Sequence, residues 1–329
     1  MLTLTDTPGN PVPPGGVLVP VTTEDGVALR AAHWRPTTRT VRGTVCLIQG
    51  RAEFIEKYYE TIADLRGRGF AVVTFDWRGQ GESARDVPDA HCGHVGRFDE
   101  FRLDLKAIEE TILRPLTPRP HIGLAHSMGG AVALTGAIDG WLPFERMVMV
   151  APMLGIKMVR WPRASSLLAR ALHRLGLGRR YIIGGTSVSI ATKPFEGNRL
   201  SGDPIRYARN AQAARAVEAG AVGDPSIAWA AEAFRAMARL RDLRLAGAIK
   251  IPTLIIGAGA DPVCDTAATE RFAARMRVGD IIVLPGARHE ILSESEAIRQ
   301  DFWAAFDAFV PGTVPAELGQ KAVAAPSVI

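Results

Sequence analysis

The chain has 329 residues, 47% of them hydrophobic, which is enough apolar material for a large core without disulfides or structural metals. A net charge of +5 is too modest to define a polyanionic partner by itself. Three scattered cysteines (Cys46, Cys92, Cys264) argue against a disulfide framework and for a reducing, cytoplasmic setting.

Residues 1–16 (MLTLTDTPGNPVPPGG) lack the basic and apolar regions of a secretory signal, and their Pro/Gly content predicts a flexible arm. Residues 17–34 carry two alternating runs around Glu24-Asp25-Gly26, the pattern of an antiparallel hairpin at a sheet edge. GTVCLIQG (43–50) reads as a buried strand. A helix over 54–69 follows, with Ile55, Tyr58, Tyr59, Ile62 and Leu65 at helical spacing and a glycine stop. Next come a strand over 70–79 and a long amphipathic helix over 98–116, with Phe101, Leu105, Ile108, Ile112 and Leu113 on one face. A strand (121–127), a helix (128–139) and a strand (146–153) continue the alternation.

Between 154 and 245 the rhythm stops. This stretch is Arg- and Ala-rich, broken by glycine clusters, and helical in character. Alternation returns with 251–261, 266–276, 279–289 and 293–310. The pattern predicts an α/β fold: a mostly parallel central sheet with an N-terminal antiparallel hairpin, a core formed by 17–153 and 246–310, and a helical lid inserted over 154–245. Such a lid lies across the carboxyl edge of the strands, where open α/β sheets bind ligands. Residues 311–329, small and Pro-rich, predict a flexible tail. No run of about 18 apolar residues predicts a membrane span.

The chemistry centres on LAHSMGGAV (124–132). A strand, then His-Ser-Met, then a Gly-rich helix start is the context of a nucleophile elbow at Ser127. Small residues are needed two before and two after the serine, where strand and helix approach closely; here they are Ala125 and Gly129. The Met128 amide at the helix start is a candidate oxyanion donor. An acid and a histidine should follow in that order. IIGAGADPVCD offers Asp261, with Asp265 as competitor and helix cap, and LPGARHEIL offers His289. A second oxyanion donor is expected from the loop Gln49-Gly50-Arg51-Ala52-Glu53, with Arg51 supplying the amide and Gly50 the turn. The Arg51 and Glu53 side chains form either an ion pair bracing this loop or two solvated charges.

These residues carry a resemblance. IQGRAEFIEKYYE, FDWRGQGES, GLAHSMGGAVAL, GAGADPVCD and GARHEIL, in that order, resemble the α/β-hydrolase superfamily. Within it they are similar to the serine hydrolases of the monoacylglycerol lipase and lysophospholipase type. The resemblance implies cleavage of a single-chain fatty acyl ester through an acyl-enzyme, with Ser127 as nucleophile, Asp261 as acid, His289 as base and the Arg51 and Met128 amides as oxyanion hole. It implies no cofactor and no metal. Gln49 stands where a histidine often precedes the oxyanion-loop glycine, and Ala125 replaces the first elbow glycine.

Three features remain. Residues 156–180 contain seven Lys/Arg and no acid, with Leu168, Ala171, Leu172 and Leu175 at helical spacing. This pattern suits either peripheral contact with the inner face of a membrane or packing onto the enzyme with solvated arginines. Without interleaved aromatics it does not suggest nucleic acid. His91-Cys92-Gly93-His94 resembles a metal motif but lacks further ligands. Cys264 is expected near the pocket, and the turn Asp76-Trp77-Arg78-Gly79-Gln80-Gly81 reads as structural, with Trp77 a candidate pocket wall. The rival functions are a small-ester carboxylesterase or acyltransferase with the same triad, and a ligand-binding module without turnover. Head group, chain length and oligomeric state are not encoded legibly.

Overall fold

The structure is a computed structural model and describes residues 3–217 and 220–311. Strands β1 (Val17–Thr22) and β2 (Ala28–Trp34) pair antiparallel. Thr23 and Gly26, the latter at φ +83°, shape the turn between them. Then come β3 (Gly43–Ile48), α1 (Tyr59–Gly67), entered through a 3-10 turn, and β4 (Phe70–Phe75). The long helix expected over 98–116 is α2 (Glu100–Ile108), a π turn (Glu109–Leu113) and a short α3 (Arg114–Leu116). Pro115 has no amide hydrogen, and the Arg114 amide reaches back to the Glu109 carbonyl, opening the helical ladder there.

The chain continues through β5 (His121–His126), α4 (Ser127–Asp139) and β6 (Arg146–Val150). Residues 154–245 hold α5 (Pro162–Leu172), α6 (Pro204–Ala216), α7 (Ile227–Leu240) and α8 (Leu243–Ala246). The core resumes with β7 (Thr253–Ala258), α9 (Thr266–Ala273), β8 (Gly279–Leu284) and α10 (Glu296–Phe309).

The sheet order is β1-β2-β4-β3-β5-β6-β7-β8. Both pairings of β2 are antiparallel, and β4 onward is parallel. Side chains alternate between two cores. Cys46 and Ile48 of β3 join Phe101, Ala131 and Phe272 on one face, while Val45 and Leu47 join Ile62, Leu65 and Phe302 on the other. Strands expected to run to 79 and 153 stop at Phe75 and Val150, and the positive φ of Gly79 (+77°) and Ala151 (+42°) shows that the chain turns rather than extends beyond them.

The arm is tied down over its described residues. Trp34 Nε1 donates to the Pro13 carbonyl, Asn10 Nδ2 to the Glu56 carbonyl, and Leu4 and Val12 pack on the core. These partners lie far away in sequence, so local composition alone suggested looseness. The tail expected over 311–329 lies, beyond residue 311, outside the described residues. Helix α6 is fastened by Arg206 and Arg209 to Glu60 of α1, each at 2.7 Å. Helix α5 rests on α7. Its expected apolar stripe divides: Leu172 and the half-exposed Leu168 line a cavity, whereas Ala171 and Leu175 are exposed and do not line it. A π turn (His173–Leu177) with Gly176 at φ +81° rotates Leu175 off the stripe.

Candidate active site

Ser127 joins β5 to α4 with φ +49°, a strained conformation for a residue bearing a Cβ. Crowding explains the small residues around it. A Cβ on Gly129 would sit 2.5 Å from the Gln49 carbonyl oxygen and 2.7 Å from that of Ile48. Ala125 is fully buried, and its single methyl fits.

The loops after β7 and β8 meet this serine. Ser127 Oγ lies 2.9 Å from His289 Nε2, and His289 Nδ1 lies 2.8 Å from Asp261 Oδ2. Asp261 Oδ1 accepts the Val263 and Cys264 amides at 2.7 and 2.9 Å, which fixes the carboxylate. Asp265 occupies the cap position before α9, with Arg271 3.6 Å away. Burial opposes the charge of Asp261, but His289 and the two amides outweigh it and lower the pKa. Burial likewise opposes charge on His289, yet Cys264 and Asp261 prevail and raise it to about 9.

This shift predicts a pH profile. Only neutral imidazole can accept a hydroxyl proton. We expect kcat/KM to rise with pH along a limb above the ordinary 6.5, toward 9, and Cys264→Ala to move that limb down. A wild-type limb at 6.5 would contradict the upward shift. Stability has the opposite sign: protonated His289 favours the fold fully below about 6.5, and this contribution fades as pH rises through about 9.

A second buried cluster, not anticipated from the sequence, lies beside the serine. Glu53 accepts from the Gly50 amide, from Lys57 Nζ at 2.7 Å, from Tyr58 Oη at 2.5 Å and from His126 Nδ1 at 2.9 Å. Lys57 also pairs with Glu290 at 2.7 Å. His126 Nε2 faces the His289 carbonyl oxygen at 3.1 Å. A carbonyl only accepts, so Nε2 carries a proton. Burial opposes ionisation of Glu53, but His126 and Lys57 outweigh it and hold the carboxyl well below its usual range. Nδ1 therefore donates as well, and His126 is an imidazolium whose pKa Glu53 raises against burial. Two acids and two bases balance, and they join the loop after β3, the turn between β5 and α4, and the His289 loop. The i,i+4 spacing of Glu53 and Lys57 is the one sequence signal for this cluster.

Other expectations change. Arg51 and Glu53 are neither paired nor simply solvated. Arg51 Nη1 crosses to the Gly223 carbonyl at 2.7 Å, with its guanidinium 5.6 Å from the Trp229 ring centre. Ala52 has φ +61°, and its amide donates to Gln80 Oε1 at 3.2 Å. With the Gly50 amide on Glu53, the Arg51 amide between them has no hydrogen bond among the described residues. The Met128 amide, in the first turn of α4, lacks an intrahelical partner by position. Trp77 is a prop rather than a pocket wall: fully buried, it donates from Nε1 to the Gln49 carbonyl at 2.8 Å and stacks edge-on against Phe75 and Phe101. Gln49 reaches Thr74 Oγ1 at 3.2 Å. His94 bonds Ser226 Oγ at 2.8 Å and the His91 carbonyl accepts the Gly223 amide, so this motif ties the insertion to the core.

Asp261, Cys264 and His289 bring potential metal-ligand atoms within 4.8 Å of one another. A cation there would displace the proton shared by His289 and Asp261, which conflicts with a base role for the histidine.

A cavity of about 390 Å³ opens above Ser127 and His289. Cys264 lines it, as do Met153, Leu172, Phe234 and Met237, and the insertion supplies most of its wall. The fold and this geometry define a class: the protein is a serine hydrolase of α/β-hydrolase architecture that acts on carboxylic esters. The chain belongs to the family described as serine aminopeptidase, S33, which it matches over residues 39–296, and within it to the lysophospholipase and monoacylglycerol lipase type. Lysophospholipase L2 of Escherichia coli (strain K12) is 34% identical over 265 residues, covering 78% of this chain and 76% of its own. Monoglyceride lipase of Mus musculus is 25% identical, covering 74% and 72%. A soluble variant of monoglyceride lipase from Saccharomyces cerevisiae, solved with a substrate analogue, superposes with a TM-score of 0.70 at 19% identity, covering 89% of this chain and 96% of its own. That likeness speaks for the fold.

Proposed function

We propose that the chain hydrolyses the carboxylic ester of a single-chain lipid, monoacylglycerol or lysophospholipid, through an acyl-enzyme. The hydrogen-bonded series Ser127–His289–Asp261 on the floor of an apolar cavity carries this reading. His289 Nε2 takes the Ser127 proton as Oγ attacks the ester carbon. The Arg51 and Met128 amides receive the oxyanion, and Asp261 stabilises the imidazolium. Collapse expels the alcohol, which takes the proton from Nε2. Water, deprotonated by His289 Nε2, then attacks the acyl carbon, and the fatty acid leaves as Ser127 Oγ takes the proton back from Nε2.

The insertion 154–245 serves as a lid in this scheme. Trp161 and Leu167 are each 67% exposed and Leu175 is 75% exposed, beside exposed Arg160, Arg163, Arg170 and Arg174. Cationic and apolar groups on one rim suit contact with an anionic bilayer from which a lipid enters. Among the described residues no helix is long and apolar enough to cross a membrane.

The test is hydrolysis across acyl esters from acetyl to oleoyl. Each buried methylene contributes about 0.8 kcal/mol, so selectivity should climb roughly severalfold per carbon until the cavity fills. A preference for acetyl would replace the lipid reading with a small-ester esterase. Long-chain lipid on anionic vesicles should turn over faster than on neutral ones, with the gap closing at high salt. Equal rates would remove the bilayer contact.

A further inference from the structure

The cavity wall is mostly apolar, but it includes charged side chains of two kinds. Lys57, Glu53 and Glu290 satisfy one another within the buried cluster. Arg51 and Asp224 do not. No carboxylate lies within 4.0 Å of the Arg51 guanidinium among the described residues, and its one hydrogen bond there is Nη1 to the Gly223 carbonyl. Asp224 bears on it electrostatically from the same wall, with Oδ2 held by the Thr186 amide at 2.9 Å. Burial lowers the pKa of Arg51, the mark of a cation with incomplete compensation.

Such a group is costly in an apolar cavity unless a ligand completes it. A fatty acyl chain offers it nothing, and the hydroxyls of a monoacylglycerol offer only neutral acceptors. A phosphate diester offers two anionic oxygens that match the planar fork of a guanidinium. The location is suitable. The Arg51 amide is the proposed oxyanion donor, so its side chain starts beside the scissile carbonyl and extends along the wall. In a lysophospholipid the phosphate lies one glycerol backbone from that carbonyl. Asp224 on the same wall then faces the ammonium of a zwitterionic head group.

We infer that Arg51 is a specificity-determining residue that binds the head-group phosphate of a lysophospholipid, making this substrate class preferred over neutral monoacylglycerol. The inference rests on the lipid-esterase reading above and narrows it.

The test compares kcat/KM for palmitoyl lysophosphatidylethanolamine and for monopalmitoylglycerol, both in neutral mixed micelles, in wild type, Arg51→Met and Arg51→Lys. Wild type should favour the lysophospholipid. Arg51→Met should reduce the ratio of the two kcat/KM values by about tenfold to a hundredfold, mainly through KM of the lysophospholipid, the scale of a lost charge-assisted contact. Arg51→Lys should retain part of the ratio. If Arg51 only braces Gly223 and the loop, both substrates lose activity together, the ratio stays constant and the inference is overturned. Wild type acting on monopalmitoylglycerol alone overturns it while the lipid-esterase reading stands. Wild type acting on neither ends both.

Discussion

Ser127→Ala is expected to lower kcat on any accepted ester by roughly 10⁴- to 10⁶-fold, with little change in melting temperature. The size follows from removing the nucleophile of a cooperating set, where loss of one member costs about as much as loss of all. What survives over water comes from the oxyanion hole and substrate binding. Stability should hold because the lost hydroxyl bonds only His289 among the described residues, and alanine keeps the Cβ that the backbone already tolerates at φ +49°. Steady-state assays beside a thermal melt check both halves. A folded Ser127→Ala protein within tenfold of wild-type activity would mean that the nucleophile lies elsewhere.

The second large effect concerns stability. Lys57→Met should destabilise the fold by about 3–5 kcal/mol, because it leaves Glu53 and Glu290 buried without the cation they share. For a chain of 329 residues that is a fall in melting temperature of about 4–7 °C. Activity should fall too, since Glu53 holds the Gly50 amide and His126 holds the His289 carbonyl. Lys106→Met is the control. Its partner Glu24 is exposed, and the pair is screened by solvent, so the melt should hardly move. If both variants melt alike, the buried cluster does not have the role given to it.

Ser127 and His289 were legible because strand, turn and helix signals surround them in a fixed order. Asp261 and Asp265 could not be separated on residue type. In the folded chain Asp261 turns Oδ2 to the imidazole, whereas Asp265 sits at the N-cap position of α9 with no side-chain bond to its first turn. Glu53, Lys57, His126 and Glu290 come from three distant segments, and beyond the i,i+4 step from Glu53 to Lys57 no periodicity joins them. For Trp77 the structural reading of its turn holds and the pocket-wall role does not, because a large aromatic after a strand can face either the cavity or the core. Its indole N–H found the Gln49 carbonyl and turned inward. Arg51 and Glu53, two residues apart, allow either a pair or two solvated charges, but the turn at Ala52 points them to different partners. The arm over 3–16 shows the same limit: Trp34 and Glu56 hold it, and neither is local.

The central claim is that His289 activates the Ser127 hydroxyl. Mass spectrometry of the folded protein after reaction with a fluorophosphonate tests it directly. The account predicts a single adduct on the peptide containing Ser127, absent from Ser127→Ala and strongly slowed in His289→Ala. A well-folded wild type that takes no label, or takes it on another residue, would contradict it.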